Sequence, residues 1–102
     1  MYREGFFKYL QYEKRYSVHT IRAYKNDLNQ FFKYLEDHHE GRDIQSITEE
    51  KVRAWIVTCL QNNISERTIN RKISTLKTYF KYLIRMGYIQ QDPMVRVYTP
   101  KV

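Results

Sequence analysis

The chain is predicted to be an all-α bundle of four to five helices, and three observations carry that expectation. Apolar residues recur at helical spacing from end to end, no segment alternates with a period of two, and one helix-start pattern is present twice. Aligning Ser17–Leu35 with Ser65–Leu83 at a constant offset of 48 matches Ser17/Ser65, Thr20/Thr68, Ile21/Ile69, Leu28/Leu76, Phe32/Phe80, Lys33/Lys81, Tyr34/Tyr82 and Leu35/Leu83. In each copy the serine follows an apolar residue (Tyr16, Ile64) and precedes an isoleucine by four places. Serine accepts hydrogen bonds from the orphan amides of a first helical turn, while the flanking apolar pair staples the entering chain to it.

The elements follow in order. Phe6, Tyr9, Leu10 and Tyr12 mark a first helix at about residues 3–15, ended before the Tyr16-Ser17 start of the next. The second runs to about residue 37 with Ile21, Tyr24, Leu28, Phe31, Phe32 and Leu35 on one side. The polar stretch Asp37 to Gln45, with Gly41, reads as a loop. Thr48 caps a third helix, stapled by Ile47 and Val52, with Glu49 and Glu50 where the helix dipole favours acids. Asn62-Asn63 ends it. The fourth, about residues 66–86, buries Ile69, Ile73, Leu76, Phe80 and Leu83 and stops at Gly87, a left-handed C′ residue that Tyr88 closes against Leu83. Asp92-Pro93 starts one further short turn, and Tyr98 to Val102 is an extended exit.

At 102 residues the chain makes one domain with a single core. A net charge of +7 points to an anionic partner, the alternative being a chain that is merely soluble. Its single cysteine, Cys59, allows no disulfide framework and no CxxC, and its spacing to Val52, Trp55 and Ile56 makes it a buried, inert thiol. No apolar run approaches the roughly 18 residues of a membrane span, and the N-terminus lacks a signal-peptide core, so the expectation is a cytoplasmic chain with no membrane partner. His19, His38 and His39 lack metal-ligand spacing, no catalytic set is visible, and no cofactor is expected. The ten tyrosines read as core packing with hydroxyls reaching water, as at Tyr9, Tyr24 and Tyr79.

Charge concentrates on the fourth helix, where Arg67, Arg71, Lys72, Lys77, Lys81 and Arg85 face the single acid Glu66. At about 100° per residue, Arg67, Asn70, Arg71, Ser74, Thr78, Lys81 and Arg85 lie opposite the apolar stripe. Arginine and asparagine can pair bidentately with guanine and adenine edges, and lysines reach phosphates as point charges; a solvated amphipathic helix is the plainer alternative. The second helix offers a weaker version in His19, Arg22, Ala23, Asn26, Gln30 and Lys33. Ser17, Thr20, Ser65 and Thr68 can offer hydroxyls and helix N-terminal amides to phosphates, or do no more than cap their helices.

The ordered blocks Ser-x-x-Thr-Ile-Arg-Ala-Tyr-x-x-Asp-Leu-x-x-Phe-x-x-Tyr-Leu (17–35), Ile-Thr (47–48), Ser-x-x-Thr-Ile-Asn-Arg-Lys-Ile-Ser-x-Leu-Lys-x-x-Phe-Lys-Tyr-Leu (65–83), Gly-Tyr-Ile-x-x-Asp-Pro (87–93) and Pro-Lys (100–101) cover most of the chain. Together they resemble the N-terminal core-binding, SAM-like domain of tyrosine recombinases, the phage-integrase and Xer-type family. That resemblance implies half of a clamp around a recombination half-site, its second and fourth helices meeting the major groove of double-stranded DNA. Carried over, it places His19, Arg22 and Asn26 on one reading helix and Arg67, Asn70, Arg71, Ser74 and Lys77 on the other. It also implies other recombinase protomers as partners in a synaptic tetramer, a monomeric isolated domain, and an Arg/Lys/His/Arg set with a tyrosine nucleophile in a separate C-terminal domain. His19-Thr20-Ile21-Arg22 spells the family's His-x-x-Arg catalytic box, but its surroundings match the binding-domain pattern, so no catalytic residue is assigned. Two other classes fit the charge: a basic bundle docking an acidic protein, and a helix-turn-helix regulator.

Overall fold

The computed structural model describes residues 2–38 and 43–98, and in them four α-helices pack around one core. They are α1 (Arg3–Tyr12), α2 (Val18–Asp37), α3 (Glu49–Gln61) and α4 (Glu66–Arg85), with a 3-10 turn at Ile44–Ser46 before α3. No strand occurs among the described residues, so the all-α class holds. The loop expected to reach Gln45 is shorter than that, because the Asp43 carboxylate accepts from the Gln45 amide and starts the 3-10 turn. Gly41 and the Pro100-Lys101 end of the exit lie outside the described residues.

The helix starts repeat each other closely. In α2 the Thr20 amide donates to Ser17 Oγ at 3.2 Å and the two hydroxyls lie 3.0 Å apart. In α4 the Thr68 amide donates to Ser65 Oγ at 3.2 Å, again with hydroxyls 3.0 Å apart. Thr48 caps α3 through the Lys51 amide, with Ile47 and Val52 buried beside it.

The ends are also set by chemistry. At Gly87 the chain turns left-handed (φ 79°), the Gly87 amide donates to the Ile84 carbonyl, and the Tyr88 amide reaches Leu83. Asn63 (φ 61°) makes the same pair of bonds to Leu60 and, through Ile64, to Cys59, with asparagine standing in for glycine in the left-handed position. The Asp92 carboxylate accepts from the Met94 amide and holds the last turn.

The core comprises Phe6, Leu10, Leu28, Phe31, Phe32, Leu35, Val52, Trp55, Ile69, Ile73, Leu76, Tyr79, Phe80 and Leu83, with Ile89, Met94 and Val97 sealing one end. Two expectations fail. The first helix ends at Tyr12 and not at about residue 15, and Tyr12 is 68% exposed because it lies on the side of α1 turned away from the buried Phe6 and Leu10. Tyr79 is wholly buried, edge-on to Phe6 and Phe32, so its hydroxyl does not reach bulk water.

The pairing of α2 with α4 repeats the sequence duplication in space. Lys72 bonds Gln30, Asp27 bonds Thr75, and the Tyr24 and Thr78 hydroxyls meet, so as numbers fall along α2 they rise along α4. The helices are antiparallel. At the offset of 48, Asp27 is equivalent to Thr75, and the Gln30/Lys72 contact is equivalent to Thr78/Tyr24. Exchanging the two helices therefore maps their contacts onto one another, as an approximate two-fold axis between Asp27 and Thr75 would.

Candidate nucleic-acid interface

The outward faces of α2 and α4 meet along a seam whose floor is Asp27. Its carboxylate is wholly buried. Arg71 donates from Nε to Oδ2 (3.1 Å) and from Nη2 to Oδ1 (2.9 Å), Lys72 donates from Nζ to Oδ1 (3.1 Å), and the Thr75 hydroxyl donates to Oδ2 (2.9 Å). Four donors on two oxygens replace the water that a buried carboxylate loses. The bonds to Asp27 push the Arg71 guanidinium further above its ordinary value, so it is always charged.

Lys72, read from sequence as part of the outer basic face, is buried. Its ammonium also donates to Gln30 and lies 5.6 Å from the centre of the Trp55 ring. Helical geometry explains this, since position 72 lies between 69 and 76 and within the arc of the apolar stripe. Arg85 leans from the end of α4 over the Tyr9 ring of α1, at 5.8 Å. Arg71 stays at the surface, its side chain 45% exposed.

Arg22, Arg67 and Lys81 are exposed and have no ion pair or side-chain hydrogen bond among the described residues; His19, Asn26 and Ser74 are exposed as well, and Lys77 is half-buried. Asn70 is half-buried with Oδ1 turned inward and unpartnered, so its amide must rotate before it can offer the donor–acceptor pair that an adenine edge needs. At the middle of the seam Gln30 and Asp27 of α2 meet Arg71, Lys72 and Thr75 of α4.

The two caps do not come together. Asp27 and Thr75 sit at one level of the antiparallel pair, with Ser17 ten residues before the first and Ser65 ten before the second, so at 1.5 Å per residue the caps are about 30 Å apart along the bundle. Ser17, Thr20, His19 and Arg22 share one end with Lys81; Ser65, Thr68 and Arg67 share the other with Lys33. In both caps the serine hydroxyl already serves its own helix.

Acids are sparse along this surface, where the exposed Glu66 stands beside the Ser65 cap and Asp37 pairs with Lys33 at the same end. Between Ser17 and Lys33 the one acid is the buried Asp27, and between Arg67 and Arg85 there is none. Asp27, a negative charge in the sequence, is the residue that sequence reasoning missed. Its signal was position: it borders the apolar stripe of α2 and aligns with Thr75, a residue that is itself buried.

No group of three or more His, Cys, Asp or Glu residues able to hold a metal occurs among the described residues, and none of their helices is long and apolar enough to cross a membrane.

Comparison with known proteins defines the class of this bundle. Residues 4–87 match the family of phage integrase N-terminal SAM-like domains, and the chain belongs to that family. It is 36% identical to tyrosine recombinase XerC of Oceanobacillus iheyensis over 102 residues, which is 99% of this chain and 33% of that protein. It is 38% identical to tyrosine recombinase XerD of Rickettsia conorii over 96 residues, 94% of this chain and 31% of that protein. The chain thus spans about a third of the length of the curated relatives it matches. No solved structure matches it significantly.

Proposed function

We propose that this chain is a double-stranded DNA-binding domain that grips the core site of a site-specific recombinase, laying the α2/α4 seam against the duplex while strand cleavage is carried by residues outside these 102. The observation that carries the reading is the seam: two helices expose Arg22, Arg67, Arg71 and Lys81, while the one acid in either stretch is buried and neutralised. A surface this poor in acids concentrates positive potential where phosphates would lie. The separation of the caps adds to it. Two sets of helix N-terminal amides about 30 Å apart, one at each end of the seam, are too far apart to hold one phosphate and offer separate anchoring points along a duplex.

The division of labour follows from side-chain chemistry. Arg22, Lys81 and the caps at Ser17, Thr20, Ser65 and Thr68 meet phosphates; Arg67, Arg71, Ser74 and Asn26 face the groove. His19, Asn70 and Lys77 flank them. The whole protein acts as a tyrosine recombinase in the cytoplasm with further protomers on the DNA, a reading that rests on the relatives' names and on the share of their length that lies outside this chain.

Fluorescence anisotropy of the chain with a labelled duplex at several salt concentrations tests the proposal. Binding should weaken linearly in log–log form, and Lys81→Ala should shallow the slope by about one, the share of a single neutralised phosphate. Absence of binding at low salt, or binding that ignores salt, would refute it. Retention of full affinity when Arg22, Arg67 and Lys81 are all replaced by alanine would move the interface elsewhere.

A further inference from the structure

Asp27 contributes no charge to the surface, yet it fixes the orientation of the one arginine at the centre of the seam. We propose that Asp27 is a positioning residue which, resting on the DNA-binding reading above, holds Arg71 as a pre-set fork for a guanine edge, while Lys72 offsets the carboxylate so that the cluster around the fork keeps a net positive charge. Arginine has five N–H groups. Asp27 takes one from Nε and one from Nη2, along the side edge of the guanidinium plane. The two N–H groups of Nη1 and the second of Nη2 remain, and Nη1 with Nη2 forms the end-on fork that matches guanine O6 and N7.

A simple Asp–Arg pair would be electrically neutral and a poor lure for DNA. Here the carboxylate faces two cations, Arg71 and the buried Lys72, so the cluster as a whole is left with one positive charge. Because Lys72 is 5% exposed and Arg71 45%, that surplus is presented through the arginine. Holding a long side chain in its bound geometry removes an ordering cost that a free arginine such as Arg67 meets only on binding. The expected effect is therefore selective: Asp27 affects which sequence is bound more than how strongly DNA in general is bound.

The test uses the 102-residue chain and a duplex selected by it from a randomised pool, compared with random duplex of the same length. Arg71→Ala and Asp27→Asn should each lower affinity for the selected duplex by about tenfold or more and for random duplex much less. The double variant should discriminate no worse than Arg71→Ala alone. Arg71→Lys, which keeps the charge but not the fork, should retain the salt slope and lose discrimination. In the unmodified protein the Arg71 Nε proton should exchange with water far more slowly than that of Arg67, both free and on DNA, a measurement independent of whether Asp27→Asn folds. If the chain binds no duplex at all, the DNA-binding reading falls and this one with it. If it binds duplex but selects no sequence, or discriminates equally well without the Arg71 fork, or if the Arg71 proton exchanges fast on DNA, this inference alone is overturned.

Discussion

Replacing Asp27 with alanine should be among the most damaging single changes in the chain. It strands Lys72, which is 5% exposed and left with Gln30 and the Trp55 face as company, and it frees Arg71, which is 45% exposed and readily hydrated. The cost lies almost wholly with the lysine. Breaking a buried pair by removing one partner costs about 3–5 kcal/mol, against about 5–15 kcal/mol for a whole domain. With a urea dependence of about 1–3 kcal/mol per molar, the unfolding midpoint should fall by about 2 M. Trp55 is the single tryptophan and sits beside Lys72, so its fluorescence reports locally while circular dichroism follows the helices. Rescue is also expected, because replacing both ions, Asp27→Leu with Lys72→Met, removes the stranded charge and should recover most of the loss. A cost below about 1 kcal/mol for Asp27→Ala, or further destabilisation on adding Lys72→Met, would refute this account of the buried cluster.

Three other outcomes follow from single sites. Burial pushes the Cys59 thiol up, with Lys72 opposing this and Asp27 adding to it, so the native protein should resist thiol reagents at neutral pH and react once unfolded; rapid native labelling would misplace the buried face of α3. Burial also raises Tyr79 well above its ordinary value of 10.0. The folded state then keeps a proton that the unfolded state releases, so stability is intact below pH 10 and falls as pH rises beyond it; tyrosinate absorbance from Tyr79 should appear only with unfolding, and its appearance in folded protein would contradict this. A methyl group on Gly5 would sit 2.7 Å from the Tyr82 hydroxyl, so Gly5→Ala should lower the melting temperature and Tyr82→Phe should restore part of it, whereas no change in Gly5→Ala would mean that the Tyr82 ring shifts aside without cost.

What was legible in the sequence was whatever local chemistry decides. Ser17, Thr48 and Ser65 cap where they are expected because each needs only the amide three residues on, and Gly87 ends α4 because its left-handed turn admits a residue without Cβ. The apolar stripe of α4 was readable for the same reason. Long-range pairing was not. Lys72 reads as a surface charge until Asp27 of another helix is brought beneath it, and Arg71 reads as a free donor until two of its N–H groups are found committed. Ile44–Ser46 escaped because a 3-10 turn started by one aspartate leaves no periodicity to detect. The family resemblance reached the right class, but only the packed fold shows that the two serine caps lie at opposite ends of the seam.

The near-equivalence of α2 and α4 bears on orientation. A DNA duplex has its own two-fold axes, relating one strand to the other, so a reader whose helices were interchangeable would fit a site equally well in either direction. In this pair the exchange fails at one place that matters: the position equivalent to Arg71 is Ala23, and the position equivalent to Asp27 is Thr75. One half of the seam thus carries a fork and the other a methyl group, which turns a nearly symmetric handle into an arrow. A DNA-cleaving reagent tethered at Val18→Cys, an exposed site in the first turn of α2, should therefore mark one side of the selected duplex only. Equal cutting on both sides would mean that the arrow has no point.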